Sequence, residues 1–189
     1  MTEDKIKILG ITGPSGCGKD YAALYFAKKN PVKYNYVKLK TTRPPREEEK
    51  TYNFMDTSEF LKEVLDGKML NAQQYNEWWY GLSATSLVKD KINVVPMSWK
   101  MIQQMKEEQD INNIDLKLIY VCSDEKERLK QLIERDTDYE EMCRRFIADK
   151  YEYTHNEDII DKVDYLAKND YTIFFQKILN EAETQLYGD

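Results

Sequence analysis

The stretch that decides the fold lies near the start of the chain, where residues 6–20 read IKILGITGPSGCGKD. Residues 6–11 form a short apolar run bounded by glycine, which predicts a buried strand. Residues 13–19 match G-x-x-x-x-G-K, the pattern of a phosphate-binding P-loop when it follows a strand and opens a helix. Backbone amides and the helix N-terminus would cradle phosphates, and Lys19 would reach the β- and γ-phosphate oxygens. The residues predicted to hold ATP are Gly13, Ser15, Gly16, Cys17, Gly18, Lys19 and Asp20.

The residue after the P-loop lysine departs from the usual pattern. Asp20 stands where a serine or threonine hydroxyl usually holds Mg²⁺. One interpretation is that its carboxylate ligates magnesium directly or through water, because carboxylates are good ligands for hard cations. The other is that Asp20 is only an acid favoured by the helix dipole, with impaired nucleotide binding. We favour the metal role, since no predicted strand ends in an obvious Walker-B aspartate.

Strands and helices alternate along the chain. Apolar runs predict strands at residues 6–11, 34–39, 92–97, 116–122 and 165–168. Periodicity and capping residues predict helices at 20–30, 57–66 and 171–186, and further helices that begin after Ser98, Ser123 and Asp138. This alternation predicts an α/β domain with a mostly parallel sheet covered by helices on both faces.

Composition limits the kind of protein. The 28 basic and 34 acidic residues give a net charge of −6, which disfavours binding of long nucleic acid. A single histidine, His155, excludes a multi-histidine zinc site. The three cysteines are widely spaced and form no CxxC pair, as is typical of a reduced, intracellular protein. Without a signal-type or membrane-spanning apolar run, we expect a cytoplasmic protein that binds no membrane and is a monomer or a homodimer.

A second unusual string, TTRPPR, occupies residues 41–46 just after the second predicted strand. Alone it is typical of a solvated basic turn. After a P-loop, however, it resembles the TTRxPR segment of guanylate kinases. Further landmarks of that family follow in order: Tyr52-Asn53-Phe54, Ser58-Glu59-Phe60, Gly67, Trp79-Tyr80-Gly81, Asp136-Thr137-Asp138, Arg144-Arg145 and Asn169-Asp170. The chain therefore resembles a guanylate kinase-like nucleoside monophosphate (NMP) kinase over most of residues 5–175.

The resemblance implies a P-loop NTPase fold, with a three-layer α/β/α core, a β-rich NMP-binding insert and a helical lid. It divides the chain into core segments 1–38, 86–125 and 147–189, an insert at 39–85 and a lid at 126–146. It implies that the acceptor's α-phosphate is gripped by Arg43, Arg46, Tyr52 and Tyr80. It further implies that the transferring phosphoryl group is neutralised by Lys19, Arg135 and Arg145, with Arg144 as the neighbouring candidate. Asn169 matches the position near the adenine of ATP.

The positions that read guanine in that family differ in this chain. The family's glutamate is Asn71, its aspartate is Ser98, and two of its serines are Leu82 and Leu39. Asn71 and Ser98 remain the residues predicted at the acceptor base. The segment between Arg46 and Tyr52 is also shorter than in the family, and Ile133 occupies a lid arginine position. Either the acceptor base is not guanine, or other groups read it.

Three functions fit these patterns. The first is an enzyme that transfers the γ-phosphate of ATP to a (d)NMP acceptor, with ATP and Mg²⁺ as cofactors. The second is a P-loop kinase for a sugar phosphate, since the base-reading residues are changed. The third is a non-catalytic, guanylate-kinase-like module that binds phosphopeptides. Such modules typically lack a working P-loop, whereas this chain keeps the P-loop glycines and Lys19.

Overall fold

A five-stranded parallel sheet forms the centre of the molecule in the computed structural model, which describes residues 5–45, 50–75, 77–135, 138–153 and 159–188. In chain order the elements are β1 (Ile6–Thr12), α1 (Lys19–Lys29), β2 (Tyr34–Tyr36), β3 (Lys40–Thr41), β4 (Asn53–Phe54), α2 (Thr57–Leu65), β5 (Met69–Tyr75), β6 (Trp78–Ser83), a 3₁₀ turn (Ala84–Ser86), β7 (Ile92–Pro96), α3 (Trp99–Glu108), β8 (Ile114–Ser123), α4 (Glu125–Arg135), α5 (Tyr139–Glu152), β9 (Tyr165–Asn169) and α6 (Phe174–Tyr187). The strand order is β2-β7-β1-β8-β9, and every pairing is parallel.

The central strand β1 is buried on both faces because apolar side chains alternate along it. Leu9 and Ile11 pack into a cluster with residues of α1 and α6, whereas Ile8 packs into a cluster with residues of α3. All three side chains are fully buried, and each contributes about 1.5–3 kcal/mol by leaving water. The predicted α/β fold with a parallel sheet between helices is confirmed. Within the described residues, no helix combines the length and apolar character needed to cross a membrane.

A second, four-stranded sheet lies between β2 and β7 in the chain and has the order β4-β3-β6-β5. Its β5–β6 hairpin is antiparallel, and the buried side chain of Phe60 on α2 contacts the Trp79 ring of β6, with centroids 6.0 Å apart. A hydrogen bond from Gln73 on β5 to Ser98, at the start of α3, joins this sheet to the core. This sheet falls inside the predicted β-rich insert, while the exact division into core, insert and lid stays a prediction.

Two helix caps agree with the sequence pattern and one does not. The Ser98 hydroxyl accepts a hydrogen bond from the Met101 amide, and the Asp138 carboxylate accepts one from the Glu141 amide. Ser123, in contrast, belongs to β8. The cap of α4 is Asp124, whose carboxylate accepts hydrogen bonds from the amides of residues 126 and 127.

Two predicted elements are shorter than expected. The second strand ends at Tyr36 rather than at residue 39, because the chain turns away to pair Lys40–Thr41 in the second sheet. The last helix begins at Phe174 rather than at residue 171, because Tyr171 adopts a left-handed backbone conformation with φ 60°. Arg46 and His155 lie outside the described residues, as do Asp136 and Thr137.

Gly13 gives a test of the turn that leaves β1. Its φ is +148°, and a Cβ atom there would lie 2.3 Å from the Val121 carbonyl oxygen. Gly67 also has positive φ, but a Cβ atom there would meet nothing within 4 Å. Gly67→Ala should therefore cost about 1–2 kcal/mol of unfolding free energy from backbone strain alone. Gly13→Ala should cost about 1–3 kcal/mol more because of the clash, measured by urea unfolding. An equal loss of unfolding free energy in Gly13→Ala and Gly67→Ala would contradict the close approach of the β8 backbone to Gly13.

Candidate active site

Three consecutive carbonyl groups of the P-loop accept hydrogen bonds from side chains of distant elements. Arg128 Nη1 donates to Ser15 O (3.1 Å), the Tyr171 hydroxyl to Gly16 O (3.0 Å), and Asn169 Nδ2 to Cys17 O (2.8 Å). Because the C=O and N–H of a trans peptide point in opposite directions, this anchoring turns the Gly16 and Gly18 amides to the other side of the loop. The loop therefore has the form of an anion cradle at the start of α1.

Asn169 lies underneath the P-loop, with both ends of its amide occupied. Its Nδ2 holds Cys17 O, and its Oδ1 accepts a hydrogen bond from the Tyr171 amide at 2.8 Å. A Cβ atom at Gly18, where φ is +97°, would lie 2.5 Å from Asn169 Nδ2. Glycine is therefore required at position 18, and Asn169 supports the loop. Its predicted place near the adenine of ATP stays a prediction.

Lys19 and Cys17 have very different roles in the loop. The Cys17 side chain is fully buried in the core, and burial raises the pKa of its thiol to about 11. The Cys17 thiol therefore faces the core, and the Cys17 amide donates to Pro14 O at 3.1 Å, so the predicted contact of Cys17 with ATP stays a prediction. Burial opposes the charge of Lys19, but the nearby carboxylates of Asp20 and Asp149 outweigh it, and the pKa of Lys19 lies above its ordinary value. Lys19 thus offers a permanent positive charge at the loop.

Asp20 lies in a cavity that it shares with the P-loop and with α4. Its Oδ1 atom is buried and has no hydrogen-bond partner within the described part of the chain. The same cavity is lined by Gly16, Gly18, Lys19, Gln131, Glu134 and Arg135. An unpartnered carboxylate oxygen beside a phosphate cradle fits Mg²⁺, which binds through one or two carboxylates together with phosphates and water. Among the described residues, no group of three or more metal-ligating side chains competes with this position.

The three candidate arginines of the predicted lid, Arg135, Arg144 and Arg145, lie in different surroundings. Arg145 lines a cleft together with Lys19, and its Nε donates to Glu141 Oε1 at 2.6 Å. Arg144 pairs with the other oxygen of Glu141 and lies over the Trp78 ring. Arg135 lies in the Asp20 cavity beside Lys19. Arg135 and Arg145, but not Arg144, therefore line cavities that Lys19 also lines, and their predicted role towards phosphates stays a prediction.

Two residues of the predicted phosphate clamp line the same cleft, and Arg43 lies next to one of them. Tyr52 and Tyr80 line it, and their rings meet edge to face with centroids 5.9 Å apart. The Arg43 guanidinium is almost fully buried, donates to Pro44 O, and lies 5.6 Å from the ring centroids of Tyr52 and Phe54. Cation–π contacts with the Tyr52 and Phe54 rings therefore hold the Arg43 guanidinium in place next to Tyr52.

The residues predicted at the acceptor base lie where β5 meets α3. Asn71 is only 2% exposed, and among the described residues neither its Oδ1 nor its Nδ2 has a partner. A buried polar group in that condition costs about 1–3 kcal/mol. Ser98 lines the cleft, as does Leu39, whereas Leu82 is fully buried in the core. Leu82 therefore has no polar contact to offer a ligand.

Helix α5 contributes side chains to the site that the sequence did not single out. Asp149 is buried, its Oδ2 accepts the Ser15 amide at 2.8 Å, and it lies 3.6 Å from Arg128 Nη1. Tyr153 shares a buried hydrogen bond with Thr12 at the end of β1 (3.0 Å). These contacts tie α5 to the P-loop and to the strand before it. No local pattern marks the contact of Asp149 with Ser15 or that of Tyr153 with Thr12, because the partners are more than 100 residues apart in the chain.

Fold and site together define a P-loop protein, with an anion cradle beside a cleft that Lys19, Arg145, Tyr52 and Tyr80 line. A family model described as guanylate kinase matches residues 5–181. The chain belongs to the guanylate kinase family, as its sequence motifs predicted.

Proteins with sequences similar to this chain are named as guanylate kinases. Guanylate kinase 1 of Oryza sativa subsp. japonica is 27% identical over 172 residues, which cover 87% of this chain and 44% of that protein. A guanylate kinase of Helicobacter pylori is 26% identical over 171 residues, or 86% of this chain and 79% of that protein. The chain thus spans less than half the length of the rice relative. The crystal structure of guanylate kinase from Anaplasma phagocytophilum covers 97% of this chain with a TM-score of 0.66 and 18% identity, and it supports the fold.

The buried Arg128–Asp149 pair gives a test of how the lid is joined to the loop. Asp149→Ala should lower the unfolding free energy by about 3–5 kcal/mol, because it leaves the Arg128 charge buried without its partner. An additional Arg128→Met change should restore part of that loss in a double-mutant cycle. The matched control is Glu127→Ala, which removes the partner of exposed Lys130 on the same helix and should leave stability nearly unchanged. A small effect of Asp149→Ala would show that the pair is not closed in solution.

Proposed function

We propose that the protein transfers the γ-phosphoryl group of ATP to a nucleoside monophosphate and releases ADP and a nucleoside diphosphate. The single observation that carries this proposal is one cleft that is lined both by Lys19 and Arg145 and by Tyr52 and Tyr80. Two phosphate-binding groups that face each other can hold a donor and an acceptor for direct transfer. Membership of the guanylate kinase family supports the same reaction.

The reaction needs position and charge more than covalent chemistry. An oxygen of the acceptor's α-phosphate attacks the γ-phosphorus, and the bond from that phosphorus to the β–γ bridging oxygen breaks. In this proposal the P-loop amides and Lys19 hold the donor phosphates, while Arg135 and Arg145 stabilise the charge of the transferring group. Magnesium, held by the free oxygen of Asp20, would supply further neutralisation of the donor phosphates.

The acceptor is held mainly through its phosphate. We propose that the Arg43 guanidinium and the hydroxyls of Tyr52 and Tyr80 bind the α-phosphate, since an arginine fork matches phosphate oxygens and phenols complete the shell. Arg46 belongs to the same proposed clamp. Asn71 and Ser98 are proposed at the base. The three cysteines, all free, support a reducing compartment such as the cytoplasm as the place of action.

The two alternative functions have weaker support. A phosphopeptide-binding module would not need the loop anchoring seen at Ser15, Gly16 and Cys17, which orients amides for a nucleotide's phosphates. A sugar phosphate acceptor would leave the buried amide of Asn71 without a heterocycle to bind. The family match favours neither of them.

The lysine of the P-loop tests the transfer itself. Lys19→Ala should lower kcat by about 10²–10³-fold or more while the protein stays folded, because Lys19 serves the ligand rather than the core. ADP production from ATP, Mg²⁺ and a panel of (d)NMPs measures this, and circular dichroism checks the fold. Lys28→Ala, in the last turn of the same helix and exposed, is the matched control. Lys19→Ala activity within tenfold of the unmodified protein would refute the kinase assignment.

Asp20 tests the proposed metal role. A carboxylate about 4 Å from a phosphate repels it by about 4 kcal/mol at an effective dielectric constant near 20, unless a cation lies between them. ATP affinity should therefore depend strongly on Mg²⁺, and Asp20→Ser should weaken that dependence. Calorimetric titrations with ATP, with and without Mg²⁺, measure both proteins. Glu134→Gln removes another carboxylate from the same cavity and controls for general charge. An equal magnesium effect in the unmodified protein and Asp20→Ser would place Asp20 away from the metal.

A further inference from the structure

An open cavity at the edge of the main sheet opposite the P-loop has a strongly basic lining. Its volume is about 720 Å³, within the ~300–1,000 Å³ range that is typical of small-molecule sites. The P-loop follows the last residue of β1, whereas this cavity lies at the start of the same strand, about 20 Å away at ~3.3 Å per residue. The charged residues of the lining are Lys5, Lys7, Lys33, Lys89, Lys91 and Asp90.

The topology of the sheet gathers these lysines at one edge. Strands β2, β7 and β1 are parallel neighbours, and each is immediately preceded by a lysine, namely Lys33, Lys91 and Lys5. Neighbouring strands lie about 4.8 Å apart, so these three residues lie close together along the edge. Lys7 is two residues after Lys5 and therefore lies on the same side of β1. Like charges on neighbouring strands repel one another, so this arrangement costs free energy unless an opposite charge joins it.

A buried asparagine holds the backbone that carries two of the lysines. Asn93 on β7 is fully buried, and its Nδ2 donates to the carbonyl oxygens of Lys7 at 3.1 Å and Val88 at 3.0 Å. Its Oδ1 accepts hydrogen bonds from the Val88 amide and from Asn35 Nδ2, both at 2.9 Å. Val88 directly precedes Lys89 in the chain. Because a fully satisfied buried amide makes its surroundings rigid, Lys7 and Lys89 extend from a fixed backbone.

The positive charge of the cavity is only partly neutralised by the protein. Lys33 pairs with Glu183 at 2.8 Å, and Lys5 lies 3.7 Å from Asp110. With the one aspartate of the lining, three carboxylates face five ammonium groups. Within the described ranges of the chain, the side chains of the two lysines anchored through Asn93 have neither a hydrogen-bond partner nor an ion-pair partner.

We propose that this cavity binds a compact, multiply charged phosphate anion of the chemical class of a di- or triphosphate. Lysine ammonium groups bind phosphate oxygens as point charges, and such an anion supplies Lys7 and Lys89 with the opposite charge that they lack. The carboxylates of Asp90, Asp110 and Glu183 surround the lysines and repel an extended polyanion that reaches beyond the cavity. This site does not depend on the proposed function, because it shares no residue with the P-loop or with the clamp.

The experiment uses the full chain with Lys19→Ala, which weakens the binding of phosphates at the P-loop. Calorimetric titration at low salt measures the affinity of inorganic tripolyphosphate for this protein and for the same protein with Lys7→Gln and Lys89→Gln. The pair of changes should weaken the affinity by about 10- to 100-fold, because each removes a charged hydrogen-bond donor. The matched control is Lys62→Gln with Lys68→Gln, which removes the same charge from two exposed lysines on and just after α2 and should change the affinity by less than about threefold.

ATP, titrated in the same way, distinguishes two sources of the anion. Equal affinities for ATP and tripolyphosphate would support a site for the phosphate chain alone. A tighter affinity for ATP, lost with Lys7→Gln and Lys89→Gln, would support a site for a nucleotide. None of these titrations requires phosphoryl transfer, so their outcome is separate from that of the proposed function.

Thermal melting separates a binding role of these lysines from a structural one. Without added anion at low salt, Lys7→Gln with Lys89→Gln should keep or raise the melting temperature, because it removes like charges that repel one another. Tripolyphosphate should raise the melting temperature of the Lys19→Ala protein, and the two further changes should abolish that rise. The inference would be overturned by an absence of tripolyphosphate binding to the Lys19→Ala protein, by equal weakening in the control pair, or by a lower melting temperature of the Lys7 and Lys89 variant without anion.

Discussion

The orientation of the P-loop backbone is the constraint on which the rest of the site depends. The carbonyl groups of residues 15–17 accept hydrogen bonds from the side chains of Arg128, Asn169 and Tyr171. These three residues belong to α4, to β9 and to the turn after β9. Carbonyls held in this way cannot face an anion, so the Gly16 and Gly18 amides are turned towards it instead, while the Cys17 amide donates to Pro14 O. Because Arg128 lies on α4, the same contact that shapes the loop also fixes the start of the proposed lid.

The charges around the loop are paired so that the ligand-facing cations stay available. The Asp149 carboxylate accepts a hydrogen bond from the Ser15 amide and pairs with Arg128. Its negative charge therefore does not serve Lys19 alone. Arg145 is oriented by Glu141 through its Nε, which leaves its remaining donors for the cleft. A chain with a net charge of −6 thus still places two cations, Lys19 and Arg145, on one cleft.

Local patterns made the core of the fold predictable, whereas long-range contacts were not. The buried strands β1 and β8 are continuous apolar runs, and the G-x-x-x-x-G-K spacing specifies its own loop. Arg43, Tyr80 and Arg145 were found through the family's motif spacing. Asp149 and Arg128 carry no such signal, because an acid and a base on helix faces usually mark solvent-exposed surface. The β5–β6 hairpin was missed from periodicity because Asn71 and Gln73 interrupt its apolar face.

That interruption has a physical cause. A strand face that packs only on the core selects apolar residues, since each unpaired amide buried there costs free energy. Asn71 and Gln73 nevertheless lie on such a face. Asn71 is paired with Leu82 of β6, which offers it no polar partner, whereas Gln73 is paired with Tyr80 and donates to Ser98. Tyr80, a residue of the proposed phosphate clamp, is paired with Gln73 of β5, and its ring contacts Tyr75 of the same strand with centroids 6.5 Å apart. The proposed clamp and the polar face of β5 therefore depend on one hairpin, and a substitution on β5 is expected to affect the position of Tyr80 as well.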